Sequence, residues 1–97
     1  MLKEATDGLG GNRMFNKIAR VSASRLLYAD KSYEAALDML KKYSSSSSPM
    51  IHELVGDILN KQNKKELAKE RYLLAKDQYS DETSILIVSM KISNLSL

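Results

Sequence analysis

The sequence predicts an all-α fold built from paired helices, and three observations carry that expectation. The 97-residue chain holds a single Pro and four Gly, three of the Gly within residues 8–11, so the rest of it lacks the punctuation that strands and hairpins need. From residue 14 onward, apolar and small side chains return at helical intervals, as in Phe15, Ile18, Ala19, Ser22, Leu26 and Ala29. Polar corners at Asp30–Ser32, Ser44–Ser48 and Asn60–Asn63 then cut that pattern into helix-length pieces.

Residues 1–13, MLKEATDGLGGNR, read as a flexible N-terminal segment, and residues 14–97 as the domain. Within it the pattern gives a first unit over 14–48, a second over 49–80 and a C-terminal helix over 82–96. The first helix gathers Phe15, Ile18, Ala19, Ser22, Leu26 and Ala29 on one face, and its outward apolar residues, such as Met14 and Phe15, are expected to be uncovered if upstream repeats are missing. Ser32 is placed to cap the second helix, with Glu34 in its first turn and Lys41 and Lys42 in its last, as the helix dipole favours. Tyr33, Ala36, Leu37 and Leu40 form that helix's inner face. The run Ser44–Ser48 reads as a plain linker, because serine competes with helix through local hydrogen bonds. Pro49 suits the first turn of a third helix whose Ile51, Leu54, Val55 and Ile58 point inward.

A fourth helix, from about Lys64 to Gln78, aligns Ala68, Tyr72, Ala75 and Tyr79, with Glu66 and Glu70 alternating with Lys65 and Lys69 outside. Ser80 or Asp81 can cap the last helix. Its core, SILIVSMKI, is rich in β-branched residues. With no other strand to pair with, and with Ile85, Val88, Ile92 and Leu95 at helical spacing, it reads as a helix that is apolar nearly all round.

Composition excludes several functions. There is no Cys, hence no disulfide, thiolate metal site or cysteine nucleophile. No apolar run approaches the roughly 20 residues of a membrane span. The net charge of +3 comes from 15 basic and 12 acidic residues that are interspersed, and the one lysine cluster (Lys61, Lys64, Lys65, Lys69) is broken by Glu66 and carries no aromatics, so nucleic acid is not an expected partner. His52 is the only histidine, and Glu53 beside it points about 100° away on a helix. A structural role is therefore expected for His52, with no catalytic residue, cofactor or metal. Glu53 and Asp57, at i and i+4 on what reads as an exposed face, lack a third ligand, and their like charges weakly favour a cationic partner. Gly8-Leu9-Gly10-Gly11 has neither the preceding strand nor the following Gly-Lys-Ser/Thr of a phosphate loop.

Aligning Ala36 with Ala68 gives an internal period of 32 residues. Gly56 and Ala68 sit at small positions where two helices must approach closely, and Tyr72 and Ala75 follow. Ser24 and Ala36 take the small roles in the first unit, where Leu40 replaces the aromatic and Tyr43 a small residue. This pattern resembles the tetratricopeptide repeat, whose period is about 34. The resemblance implies an α-solenoid fragment with a C-terminal capping helix and a protein-binding groove on its first helices. That groove would present Val21, Arg25 and Tyr28 from one unit and Met50, Glu53, Asp57 and Asn60 from the next. The aromatic that usually opens the first helix is replaced by Arg20 and His52. The Lys and Asn of tetratricopeptide carboxylate clamps are also missing, since Val21, Arg25, Glu53 and Asp57 stand there.

Lys17-Ile-Ala-Arg-Val21, Tyr33-Glu-Ala-Ala-Leu37, Glu53-Leu-Val-Gly-Asp-Ile-Leu59 and the ending Met90-Lys-Ile-Ser-Asn-Leu-Ser96 resemble, in that order, the C-terminal part of the YfgM-like tetratricopeptide family, an ancillary subunit of the bacterial Sec translocon. That resemblance implies a fragment of a longer protein, anchored by an N-terminal helix at the periplasmic face of the inner membrane. Its partners would be translocon subunits and periplasmic chaperones. The alternative is a cytosolic tetratricopeptide adaptor or self-assembly module. Self-association is expected from the uncovered apolar surface of the first and last helices.

Overall fold

The computed structural model describes the backbone of residues 10–97 and the side chains from residue 14. It holds α1 (Gly10–Ala29), α2 (Tyr33–Leu40), α3 (Pro49–Lys61), α4 (Lys65–Gln78) and α5 (Glu82–Ser93), with a short 3-10 turn, Lys41–Tyr43, continuing α2. Residues 10–13 are thus already helical, ahead of the expected boundary at 14, and residues 1–9 of the expected flexible segment lie outside the described residues. Each helix packs on the next in the chain, and α1 also touches α3. The fold is all-α: two helix pairs and a closing helix. Among the described residues no helix is long and apolar enough to cross a membrane.

The repeat is visible in its corners. At the end of α1, Lys31 takes a φ of 65°, the Lys31 N–H donates to the Tyr28 carbonyl and the Ser32 N–H to the Leu27 carbonyl. At the end of α3, Asn63 takes a φ of 64°, with Asn63 donating to Asn60 and Lys64 to Leu59. Both are the Schellman arrangement, which satisfies the last helical carbonyls while reversing the chain. Their 32-residue separation is the period read from Ala36 and Ala68. Ser32 does occupy the N-cap of α2, but its hydroxyl meets the Asp30 carboxylate rather than the helix. Asp81 caps α5, accepting from the Ser84 N–H at 2.9 Å.

The core runs through Val21, Ala36, Leu40, Ile51, Leu54, Val55, Ile58, Ala68, Tyr72, Ala75, Val88 and Leu95. Gly56 is required where α3 crosses α4. A Cβ there would lie 2.6 Å from Cε1 of the buried Tyr72 ring, closer than side chains tolerate. In the first unit the same crossing is solved differently. Ser24 replaces Gly56 and gives its hydroxyl proton to the Ala36 carbonyl at 2.8 Å, and the slimmer Leu40 replaces Tyr72.

The most apolar face of α1 is its open one. Phe15, Ile18 and Leu26 are 63%, 58% and 73% exposed, and the inward side is instead Val21, Ser24, Leu27 and Tyr28. That inner side carries polar groups that neighbours satisfy. Lys17 lies 5.7 Å from the Tyr43 ring centroid, and an Arg20 guanidinium N–H faces the Met39 sulfur at 3.9 Å. The uncovered state expected of Met14 and Phe15 is observed, and it extends along the whole stripe.

Candidate interaction groove

Helices α1 and α3 lie side by side, and the seven groove residues divide into three groups. Val21, Arg25 and Met50 line a cleft of about 240 Å³ together with Lys17, Ile18, Ser22, Ser48 and Ile51. Val21 is buried in its floor, while Met50 and Arg25 are exposed at its edge. Glu53 and Asp57 form a second group, half-buried rather than on an exposed face. The cation their charges call for comes from within the chain. The Lys91 ammonium of α5 donates to Glu53 Oε2 at 2.6 Å and to Asp57 Oδ2 at 3.0 Å. The Tyr79 hydroxyl donates to Glu53 and the Tyr72 hydroxyl to Asp57, each at 2.6 Å. Tyr28 lies near this cluster, and its ring tilts against that of Tyr33 with 6.0 Å between centroids. Asn60 is drawn to the corner, where it accepts from Lys65 at 3.1 Å.

A family model for the tetratricopeptide repeat-like domain matches residues 2–97. This chain belongs to that family. No curated protein and no solved structure matches it. Domains of the tetratricopeptide repeat-like family are generally non-catalytic scaffolds for other proteins.

This tetratricopeptide repeat-like domain adds a clasp that the sequence did not announce. His52 is buried, and its Nε2 lies 2.7 Å from the Ser46 carbonyl, which can only accept, so Nε2 carries the proton. Nδ1 lies 3.1 Å from Arg71 Nη1, which can only donate, so Nδ1 is the acceptor. These two partners select one neutral tautomer. The same Arg71 nitrogen donates to the Ser44 carbonyl and Gln78 donates to the Ser46 carbonyl. The serine run is therefore tied to α3 and α4 rather than a free linker, and both ring nitrogens of His52 are engaged in that tie.

Burial, then the hydrogen bond to Asp57, raises the Tyr72 phenol well above its ordinary 10.0. Burial, then the bond to Glu53, does the same for Tyr79. Burial works against the Lys91 ammonium, but its hydrogen bonds to Glu53 and Asp57 and their charges outweigh it, so its value also rises above 10.5. All three groups hold their protons more firmly when folded. Their contribution is fully present below the unfolded values and is lost as pH climbs through the folded ones. Urea midpoints are expected to be level up to about pH 10 and to fall above it. Tyr72→Phe/Tyr79→Phe should flatten that fall, and an equally steep loss in the double variant would remove the phenols as its cause.

Proposed function

We propose that this domain is a non-catalytic scaffold that grips a segment of another protein along α1 and α3. The observation that carries the reading is the cleft between them. Ile18, Val21, Met50 and Ile51 give it an apolar wall, Lys17 and Arg25 flank it, and no carboxylate lies among its lining residues. A segment pairing an apolar side chain with an acidic group fits that chemistry. The acidic pair on α3 already shares Lys91 and two tyrosine hydroxyls as partners, which favours the cleft over Glu53 and Asp57 as the part open to a partner.

The segments Lys17–Val21, Tyr33–Leu37, Glu53–Leu59 and Met90–Ser96 support a more specific reading. In it, the domain stands on the periplasmic face of the inner membrane, held by an anchor outside the present sequence, and joins the Sec translocon to periplasmic chaperones. Photocrosslinking from position 50, in the protein at work in its native cell, tests both levels. Adducts with translocon subunits or periplasmic chaperones are expected, and Arg25→Glu should cut their yield about fivefold or more. Adducts with cytosolic proteins alone would make it a cytosolic adaptor. Yields indifferent to Arg25→Glu would move the binding site away from this cleft.

A further inference from the structure

Helical arrays are usually closed by end helices with a polar outer face, because an apolar end invites further stacking. Among the described residues, neither the first nor the last helix has such a face. On α1 the outer side carries Phe15, Ile18 and Leu26, and on α5 it carries Leu86, Ile87 and Met90, all exposed. Among the described residues these are the first and last helices of the series in which each packs on the next, so one face is where a preceding helix would sit and the other where a following helix would sit. Their charges are opposite. Helix α1 contains no acid; Lys17 and Arg20 turn to its inner side, and Arg25 is exposed beside its apolar stripe. On α5 the only base, Lys91, is turned inward to Glu53 and Asp57, which leaves Glu82 as its exposed charge.

We infer that copies of this chain stack head to tail, the outer face of α5 in one copy covering the outer face of α1 in the next. Pairing α1 with α1, or α5 with α5, would bury apolar surface too, but would set like charges together. Pairing α5 with α1 brings Glu82 towards Arg25 and continues the order of the array across the junction. Such a contact is heterologous and does not close on itself, so the assembly grows with concentration instead of stopping at a dimer. It shares Ile18 and Arg25 with the partner cleft but goes beyond it through Leu26 and Leu86, which do not line it and which separate the two readings in the test.

Sedimentation of the 97-residue chain over a concentration series tests this. The wild type is expected to form a growing ladder of masses. Leu26→Glu and Leu86→Glu, both at exposed positions, should each be monomeric alone and folded by circular dichroism. Mixed, they should form one heterodimer and nothing larger, because each retains the face the other has lost. Arg25→Glu and Glu82→Arg should each weaken stacking roughly twofold to fivefold, and together restore it. A wild type that stays monomeric at millimolar concentration overturns the inference. A Leu86→Glu chain that still dimerises by itself overturns it as well, since that result means α1 pairs with α1.

Discussion

Tyr72→Ala is expected to remove about 3–5 kcal/mol of stability, the usual cost of truncating a buried aromatic side chain. A small domain has only about 5–15 kcal/mol in total, so much of the population should be unfolded in mild urea. The ring is buried, fills the space that Gly56 leaves open, and places its hydroxyl 2.6 Å from Asp57. Alanine forfeits the packing and one partner of a half-buried carboxylate together. Tyr72→Phe separates the two, since it keeps the ring and should cost only about 1–2 kcal/mol for a hydrogen bond to a charged group near the surface. Equal urea midpoints for the two variants would show that the ring's packing matters far less than its position suggests.

Lys91→Met is expected to cost about 2 kcal/mol. Breaking a fully buried ion pair costs roughly 3–5 kcal/mol. Here the Glu53, Asp57 and Lys91 side chains keep 17%, 23% and 32% of their surface in contact with water, which moderates the penalty. Removing the cation leaves two carboxylates, one helical turn apart, without their common partner. Amide exchange should quicken in α5, which loses its polar link to α3. Adding Glu53→Gln to Lys91→Met should recover part of the loss by removing one of the opposed charges. If the double variant is no more stable than Lys91→Met, charge repulsion is not what the lysine relieves.

Much of the fold was legible because local chemistry and packing agree. Pro49 opens α3, Asp81 caps α5, and the small residues Ala36 and Ala68 are buried at equivalent places one period apart. The facing of α1 was only partly legible: the repeat's register put Ser24 at the close approach, but by apolar pattern alone both of its sides are plausible interiors. The more apolar side is the open one, and the buried side is made acceptable by Met39, Tyr43 and the Ala36 carbonyl, all from other segments. The seven groove residues could be placed on the right helices by the repeat's register. What they touch could not, because the cation for Glu53 lies 38 residues away in sequence and Asn60 is taken by a lysine beyond the next corner. The serine clasp left no signal in composition, since His52 and Arg71 hold backbone carbonyls that every residue possesses.

That last property separates conformation from spelling in the loop. The grip on positions 44 and 46 falls on main-chain oxygen, and only Ser46 also uses its hydroxyl, which accepts the Ser48 N–H at 3.0 Å. The side chains of Ser44, Ser45 and Ser47 are exposed and unread by the clasp. Mutational drift in those letters is silent to the fold as long as the oxygens stay in place, whereas the readers, His52, Arg71 and Gln78, have no such latitude. A homopolymer is therefore a sufficient message here: the loop is written in a degenerate alphabet and proofread from the helices.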